Sequence, residues 1–388
     1  MNTRQKESLN AARVASFVAS LVGDDMHAKR VLSLADASLG AMHAASLAVS
    51  AIGRALAQAK GLRPKHAIKQ VDRLLSNRNI VVWDWFRHWV PYVVGSRTEI
   101  VVAMDWTEFD KDDQSTLTIH MVTNHGRATP LMWMTVVKSE LAGQRNAHED
   151  LLLTRLQKFL PDDIDVTVLA DRGFGDDDFY VLHWSLGFDH IIRFRGNIIV
   201  TNSKGESRPA VEWLLPSGRA RILRDVTVTG RQTPIAAVVC VWAKGMKEPW
   251  FLACGESCST RRAAAIVKLY GRRFTIEEGY RDTKNIRFGM GLSATRVGTP
   301  QRRDRLLLLS AVAIALLTLL GAAGENLGYD RYLRANTVKR RTHSLFNQGT
   351  YYYGAIPNMP HDELESLMIE FSQLLCEQPA FDQLFGVL

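Results

Sequence analysis

Residues 99–110 read EIVVAMDWTEFD. Ile100, Val101, Val102, Ala103 and Met104 make an apolar run that ends in acids, the first of them Asp105. Such a run reads as a buried strand. A carboxylate at the end of a buried strand loses hydration, which is costly unless something pairs with it. Residues 163–175, DIDVTVLADRGFG, repeat the pattern: an apolar run from Val166 to Ala170 ends on Asp171. If the two strands are neighbours, their carboxylates meet at one edge of a sheet.

The flanking sequence supports a sheet with helices. Residues 115–126 (STLTIHMVTNHG) and 129–138 (TPLMWMTVVK) read as two more strands, joined at a turn on Asn124, His125 and Gly126. Residues 144–161 read as an amphipathic helix stopped by Pro161, residues 176–187 as a second helix and 189–196 as a strand. The order strand, strand, strand, helix, strand, helix, strand predicts a mixed α/β sheet. Residues 197–257 alternate with β-rich texture and turns, which predicts a β insertion before a charged helix at 260–285. Residues 1–95 show three- and four-residue spacing of Ala, Leu and Val and few strand runs, which predicts an all-helical region. Within it, residues 63–80 place Ile68, Val71, Leu74 and Leu75 on one side and bases, including Lys65, Lys69 and Arg73, on the other.

The charged helix carries LYGRRFTIEEGYRDTKN, residues 269–285. At about 100° per residue, Tyr270, Arg273, Glu277, Arg281 and Lys284 fall within roughly 80° of one another. One acid stands among three bases and a phenol, either as a solvated face laced with pairs or aimed at an anion. Glu277 is the candidate for a third carboxylate that, with Asp105 and Asp171, completes an oxygen cage for Mg²⁺ or Mn²⁺. Two such ions could activate a water or a 3′-hydroxyl and stabilise the leaving oxygen. Competing acids lie nearby: Glu108, Asp110, Asp112 and Asp113 near the first aspartate, and Asp176, Asp177 and Asp178 near the second. The last three read as helix N-terminal acids facing the helix dipole. Glu278 points about 100° away from Glu277.

Charge is consistent with a polyanionic partner. The chain has 388 residues and a net charge of +8. Residues 1–100 hold 14 Lys and Arg against 7 Asp and Glu, and residues 54–78 hold seven bases and a single acid, Asp72. A second basic stretch spans 296–341 and ends in Lys339, Arg340 and Arg341. Such concentration favours nucleic acid or an anionic membrane surface. Residues 306–324 carry no charge over 19 positions. They are long enough to span a bilayer, but Ala, Ser, Thr and Gly dilute them, so a buried core helix is expected. Cys240, Cys254, Cys258 and Cys376 form no zinc set and read as reduced core thiols of a cytosolic protein. The first residues, MNTRQKESLN, show no signal-peptide apolar region.

These residues resemble the DDE transposases of the insertion-sequence-four family, the bacterial cut-and-paste group. Its signature of Tyr, two residues, Arg, three residues, Glu, six residues and Lys is met at every spacing by Tyr270, Arg273, Glu277 and Lys284. DWTEFD at Asp105 and ADRGFG at Asp171 also fit. The resemblance covers about residues 60–350. It implies a ribonuclease-H-like mixed sheet with a β-rich insertion, an N-terminal all-helical domain and a helical C-terminal region. The expected bounds are a DNA-end-binding domain at 1–95, a catalytic domain at 96–330 with its insertion at 197–257, and a C-terminal region at 331–388.

The resemblance further implies that Asp105, Asp171 and Glu277 are catalytic and ligate two Mg²⁺ ions, with Mn²⁺ as a substitute. Tyr270, Arg273 and Lys284 would hold phosphates at the transposon end, and Arg281 would add an outer DNA contact. Trp250 matches the Trp on the insertion's last strand that stacks on a flipped base in related transposases, with Trp242 as competitor. The expected partners are double-stranded DNA, as transposon ends and as target, and a second copy of the chain in the synaptic complex; no membrane is expected. Two other readings stay open on the sequence: a metal-dependent nuclease without strand transfer, and a domesticated DNA-binding protein without catalysis.

Overall fold

The computed structural model describes residues 10–376. Among the described residues, five helices precede the first strand: α1 (Ala11–Val22), α2 (Ala28–Ala44), α3 (Val49–Lys60), α4 (Pro64–Ser76) and α5 (Val82–Val94). Local signals set their ends. The Asn10 side chain accepts from the backbone N–H groups of Ala12 and Arg13 at the start of α1. Pro64 opens α4, where its missing N–H costs nothing. Gly61, at φ 66°, closes α3 in the left-handed conformation that a glycine adopts without strain. Trp89 of α5 donates from its indole to the Pro130 carbonyl at 2.8 Å, tying the helices to the sheet.

The expected strands follow as β1 (Glu99–Phe109), β2 (Gln114–Met121) and β3 (Thr129–Val137), then α6 (Arg145–Phe159), β4 (Asp165–Ala170), α7 (Asp177–Ser185) and β5 (Asp189–Arg193). The β-rich segment supplies β6 (Ile199–Thr201), β7 (Ser207–Pro209), β8 (Arg221–Val228), β9 (Thr233–Val241) and β10 (Trp250–Cys254). All ten strands belong to one sheet, ordered β3-β2-β1-β4-β5-β10-β9-β8-β6-β7. The insertion therefore extends the main sheet, because β10 pairs antiparallel with β5, Ala253 opposite Ile192. β1 runs parallel to β4, with Met104 opposite Ala170, so Asp105 and Asp171 occupy the next rung at the same end of adjacent strands.

Side-chain alternation decides which face they share. Val102, Met104, Val168, Ala170 and Ile192 join the large core that also contains α1 to α5. Ala103, Leu169 and Ile191 join a second core on the other face, beneath Ile266, Leu269, Tyr270 and Ile276. With a period of two, Asp105 follows Ala103 and Asp171 follows Leu169 onto this second face.

The expected single helix at 260–285 is instead two helices. α8 (Ala263–Gly271) and α9 (Thr275–Lys284) are joined by a 3₁₀ turn at Arg272–Phe274. Gly271 is a weak point in a helix, and in a 3₁₀ turn residues three apart eclipse one another. Arg273 lies in this turn with its guanidinium over the Phe274 ring, and both it and Tyr270 are buried.

Residues 306–324 lie within α10 (Pro300–Asn326), the one described helix long and apolar enough to cross a membrane, and its most apolar window is 89% buried. It packs against α11 (Leu345–Ala355) and α12 (His361–Cys376) as a core helix. A side chain at Gly321 would run into the Leu345 carbonyl, and one at Gly349 into that of Leu317, so these two glycines permit the α10–α11 crossing. Cys240, Cys254 and Cys258 are free and buried, as expected. The Cys376 side chain, residues 1–9 and residues 377–388 lie outside the described part, and with them the reading of MNTRQKESLN and the two ends of the expected domain division.

Candidate active site

Asp105 Oδ1 accepts from the Trp106 backbone N–H at 2.9 Å, which fixes the carboxylate at the strand end. Its Oδ2 stands 3.6 Å from Arg273 Nη1. Arg273 Nη2 donates to Glu277 Oε1 at 3.2 Å. Asp171 Oδ1 accepts from the Gly173 N–H at 2.8 Å. Burial pushes the Asp105 carboxyl up to about 6; Arg273 pulls it back, while the charges of Asp171 and Glu277 add to the rise. Burial opposes the charge on Arg273, but Tyr270, Asp105, Asp171 and Glu277 outweigh it and raise its pKa. The three acids therefore share one electrostatic site with Arg273 among them. Among the described residues, no three His, Cys, Asp or Glu side chains close into a metal cluster. The donor chemistry nevertheless fits a hard cation: three carboxylates, with Asp105 strongly desolvated and its charge opposed by the other two.

The competing acids are occupied elsewhere. Glu108 and Asp110 bind Lys138, each at 2.6 Å. Asp112 binds the buried Arg303 at 2.6 Å, and Asp113 accepts from the Ser139 N–H at 3.1 Å. Asp176 caps α7 as expected, Asp177 accepts from Thr229 and Thr233, and Asp178 pairs with Arg231.

The other expected site residues separate into groups. Tyr270 is buried beside Arg273, and burial raises its hydroxyl to about 12. Trp250 opens β10 and meets Tyr270 edge-on, with ring centroids 5.0 Å apart and an interplanar angle of 74°. Trp242 instead sits 52% exposed in the turn after β9, its indole bonded to the Met246 carbonyl. Lys284 turns towards β1, where its ammonium donates to Thr107 Oγ1 at 2.7 Å and lies over the Phe109 ring. Burial and the nearby Arg303 lower its pKa. Arg281 leaves the stripe and pairs with Glu278 at 3.3 Å. Lys65, Lys69 and Arg73 lie exposed on α4. Lys69 and Arg73, together with Lys29, Arg30 and His66, line an open groove of about 620 Å³.

Three supports escaped the sequence reading. Tyr280 donates to the Asp105 carbonyl at 3.5 Å and contacts Thr118, holding α9 against β1 and β2. Arg127 binds the buried Asp282 at 3.0 Å and so ties the β2–β3 turn to α9. The Trp106 indole donates to the buried Glu149 of α6 at 2.6 Å, bracing the residue next to Asp105. No spacing rule marks these pairs, because each joins elements distant in sequence.

A mixed sheet flanked by helices, with acids from two adjacent strand ends and one overlying helix, fits the ribonuclease-H-like fold of a DDE transposase. The family model described as the transposase DDE domain matches residues 96–316, more than half of the chain, and the chain belongs to that family. A search of curated proteins finds no match. Membership makes the chain a transposase, an enzyme acting on DNA, of a family that generally uses divalent metals.

Proposed function

We propose that this chain is a cut-and-paste transposase of the insertion-sequence-four group, acting at the terminal inverted repeats of its element. The observation that carries the reading is the gathering of Asp105, Asp171 and Glu277 around Arg273 on one sheet face.

Asp105, Asp171 and Glu277 would hold two Mg²⁺ ions, or Mn²⁺ in their place. Such ions supply Lewis-acid stabilisation to the attacking and leaving oxygens of an in-line displacement at phosphorus. Asp105 and Asp171 keep their positions because the sheet register and backbone N–H groups fix them. Arg273 can fork onto phosphate oxygens, and Lys284 adds a point charge from the β1 side. Tyr270 supports the ring of Trp250, whose face would take a flipped base and offset the few kcal/mol of unstacking. Lys65, Lys69 and Arg73 would follow the phosphate backbone of the repeats, with Arg281 as an outer contact.

The reaction begins with hydrolysis of one strand at each end, which frees a 3′-hydroxyl. That hydroxyl attacks the opposite strand to form a hairpin; the hairpin is opened, and the 3′ ends are transferred into target DNA. Two ends must be joined, so the synaptic complex contains a homodimer. The working division is a DNA-end-binding region at 1–95, a catalytic region at 96–330 with its 197–257 insertion, and a helical region at 331–388, in a cytoplasmic protein.

The test is incubation of the purified chain with Mg²⁺ and a labelled duplex carrying its own element end, followed by a denaturing gel. End-specific nicks, then hairpins and joined products, all absent in Glu277→Ala, are expected. Cutting without joining points to the nuclease, and binding without products to the domesticated protein.

A further inference from the structure

Beside the acid edge, on the β5–β10 side, lies an open groove of about 540 Å³ lined by Arg172, Arg193, Arg195 and a single acid, Glu248. Its position follows from the chain. Arg172 directly succeeds Asp171, Arg193 closes β5, and Glu248 precedes Trp250 by two residues. The groove thus adjoins in the chain the two positions, Asp171 and Trp250, where the proposed function puts the scissile phosphate and the flipped base.

The two arginines nearest the acids are not open to solvent ions alone. Glu248 Oε1 holds Arg193 Nη2 at 2.9 Å, and Oε2 holds Arg172 Nη1 at 3.3 Å. One carboxylate thus spans two guanidinium groups, the arrangement that a phosphodiester with two non-bridging oxygens also makes. Arg193 donates a further bond to the Pro249 carbonyl at 3.1 Å and is 15% exposed, so it is pre-positioned rather than free to swing. Glu248 is 48% exposed and, among the described residues, pairs only with these arginines, so it can swing out. Arg195 lies exposed farther along the groove.

We propose that Arg172, Arg193 and Arg195 bind the phosphates of the DNA strand leaving the acid edge, and that Glu248 is an internal competitor displaced when that strand enters. The inference rests on the transposase reading. Its consequence is that the groove stays paired, and weakly attractive to unrelated polyanions, until a strand held at the acids and at Trp250 supplies a phosphate at high effective concentration.

The test is equilibrium binding of the full chain to a fluorescein-labelled element-end duplex with a few unpaired terminal nucleotides, read by anisotropy over a salt series. Glu248→Gln keeps the shape and removes the competing charge, and is expected to bind about fivefold tighter at low salt. Arg193→Gln and Arg195→Ala are each expected to weaken binding and to reduce the salt slope by about 1. The gain from Glu248→Gln is expected to vanish when Arg172→Gln and Arg193→Gln are also present, since there is then nothing to release. Thermal melts of each variant separate these effects from misfolding. If Glu248→Gln binds no tighter than wild type, or keeps its gain without the two arginines, the competitor role is overturned while the transposase reading stands. If wild type binds no DNA at all, the transposase reading fails and takes this inference with it.

Discussion

Removing Arg273 exposes how the acid edge is balanced. Its side chain is 9% exposed and lies between Asp105, 22% exposed, and Glu277, 54% exposed. Breaking a buried ion pair by deleting one partner costs about 3–5 kcal/mol, because the remaining charge stays desolvated. Here the 3.6 Å separation from Asp105 and the exposure of Glu277 reduce that figure. Arg273→Ala is therefore expected to destabilise the chain by about 2 kcal/mol in metal-free buffer. This should appear as a melting temperature lower by about 2–3 °C. Adding Mg²⁺ should recover most of the loss, since the cation takes over the neutralising charge among the same carboxylates. The assay is thermal unfolding of wild type and variant, each with excess chelator and with Mg²⁺. A variant as stable as wild type in chelator, or an equal deficit under both conditions, would refute the idea that Arg273 balances the acids.

Trp250→Ala is expected to reduce hairpin formation more than first-strand nicking on an element-end substrate; equal losses on the gel would count against base flipping. Gly349→Ala drives a methyl group into the Leu317 carbonyl, so a loss of about 3 kcal/mol is expected in urea unfolding. Burial pushes Asp304 up to about 7, while its Oδ1 accepts from the Thr135 N–H at 3.0 Å. Below the ordinary value of 3.8 both folded and unfolded states carry the proton, and ionisation costs nothing. Between 3.8 and about 7 only the unfolded state ionises, so stability falls as pH rises, and above that the cost is complete. Asp304→Asn keeps the acceptor and removes this slope, so its urea midpoint should change less than that of wild type between pH 5 and pH 7.5.

The sheet was legible wherever burial is dictated by short-range pattern. The apolar runs before Asp105 and Asp171 form adjacent parallel strands in β1 and β4, and the uncharged run at 306–324 lies in a buried helix. What escaped depended on contacts between distant segments. Gly271 alone does not announce the break at Arg272–Phe274; it accompanies the burial of Arg273 in the turn and of Tyr270 against Trp250. A helical wheel placed Arg281 and Lys284 with Glu277, yet Glu278 draws Arg281 aside and Thr107 captures Lys284. The neighbouring acids looked equivalent in sequence, and only their partners, Lys138, Arg303, Thr229 and Arg231 among them, separate them from Asp105 and Asp171.

The central claim is that the strand-end acids work as one metal-dependent site, and exchanging the ligand chemistry tests it most directly. Asp105→Cys and Asp171→Cys replace a hard oxygen donor with a soft thiolate, which suits Mn²⁺ better than Mg²⁺. Cleavage of the labelled element end should disappear for both variants in Mg²⁺ and return in part in Mn²⁺, while wild type works in either. Undiminished cleavage by either variant in Mg²⁺ would contradict the account.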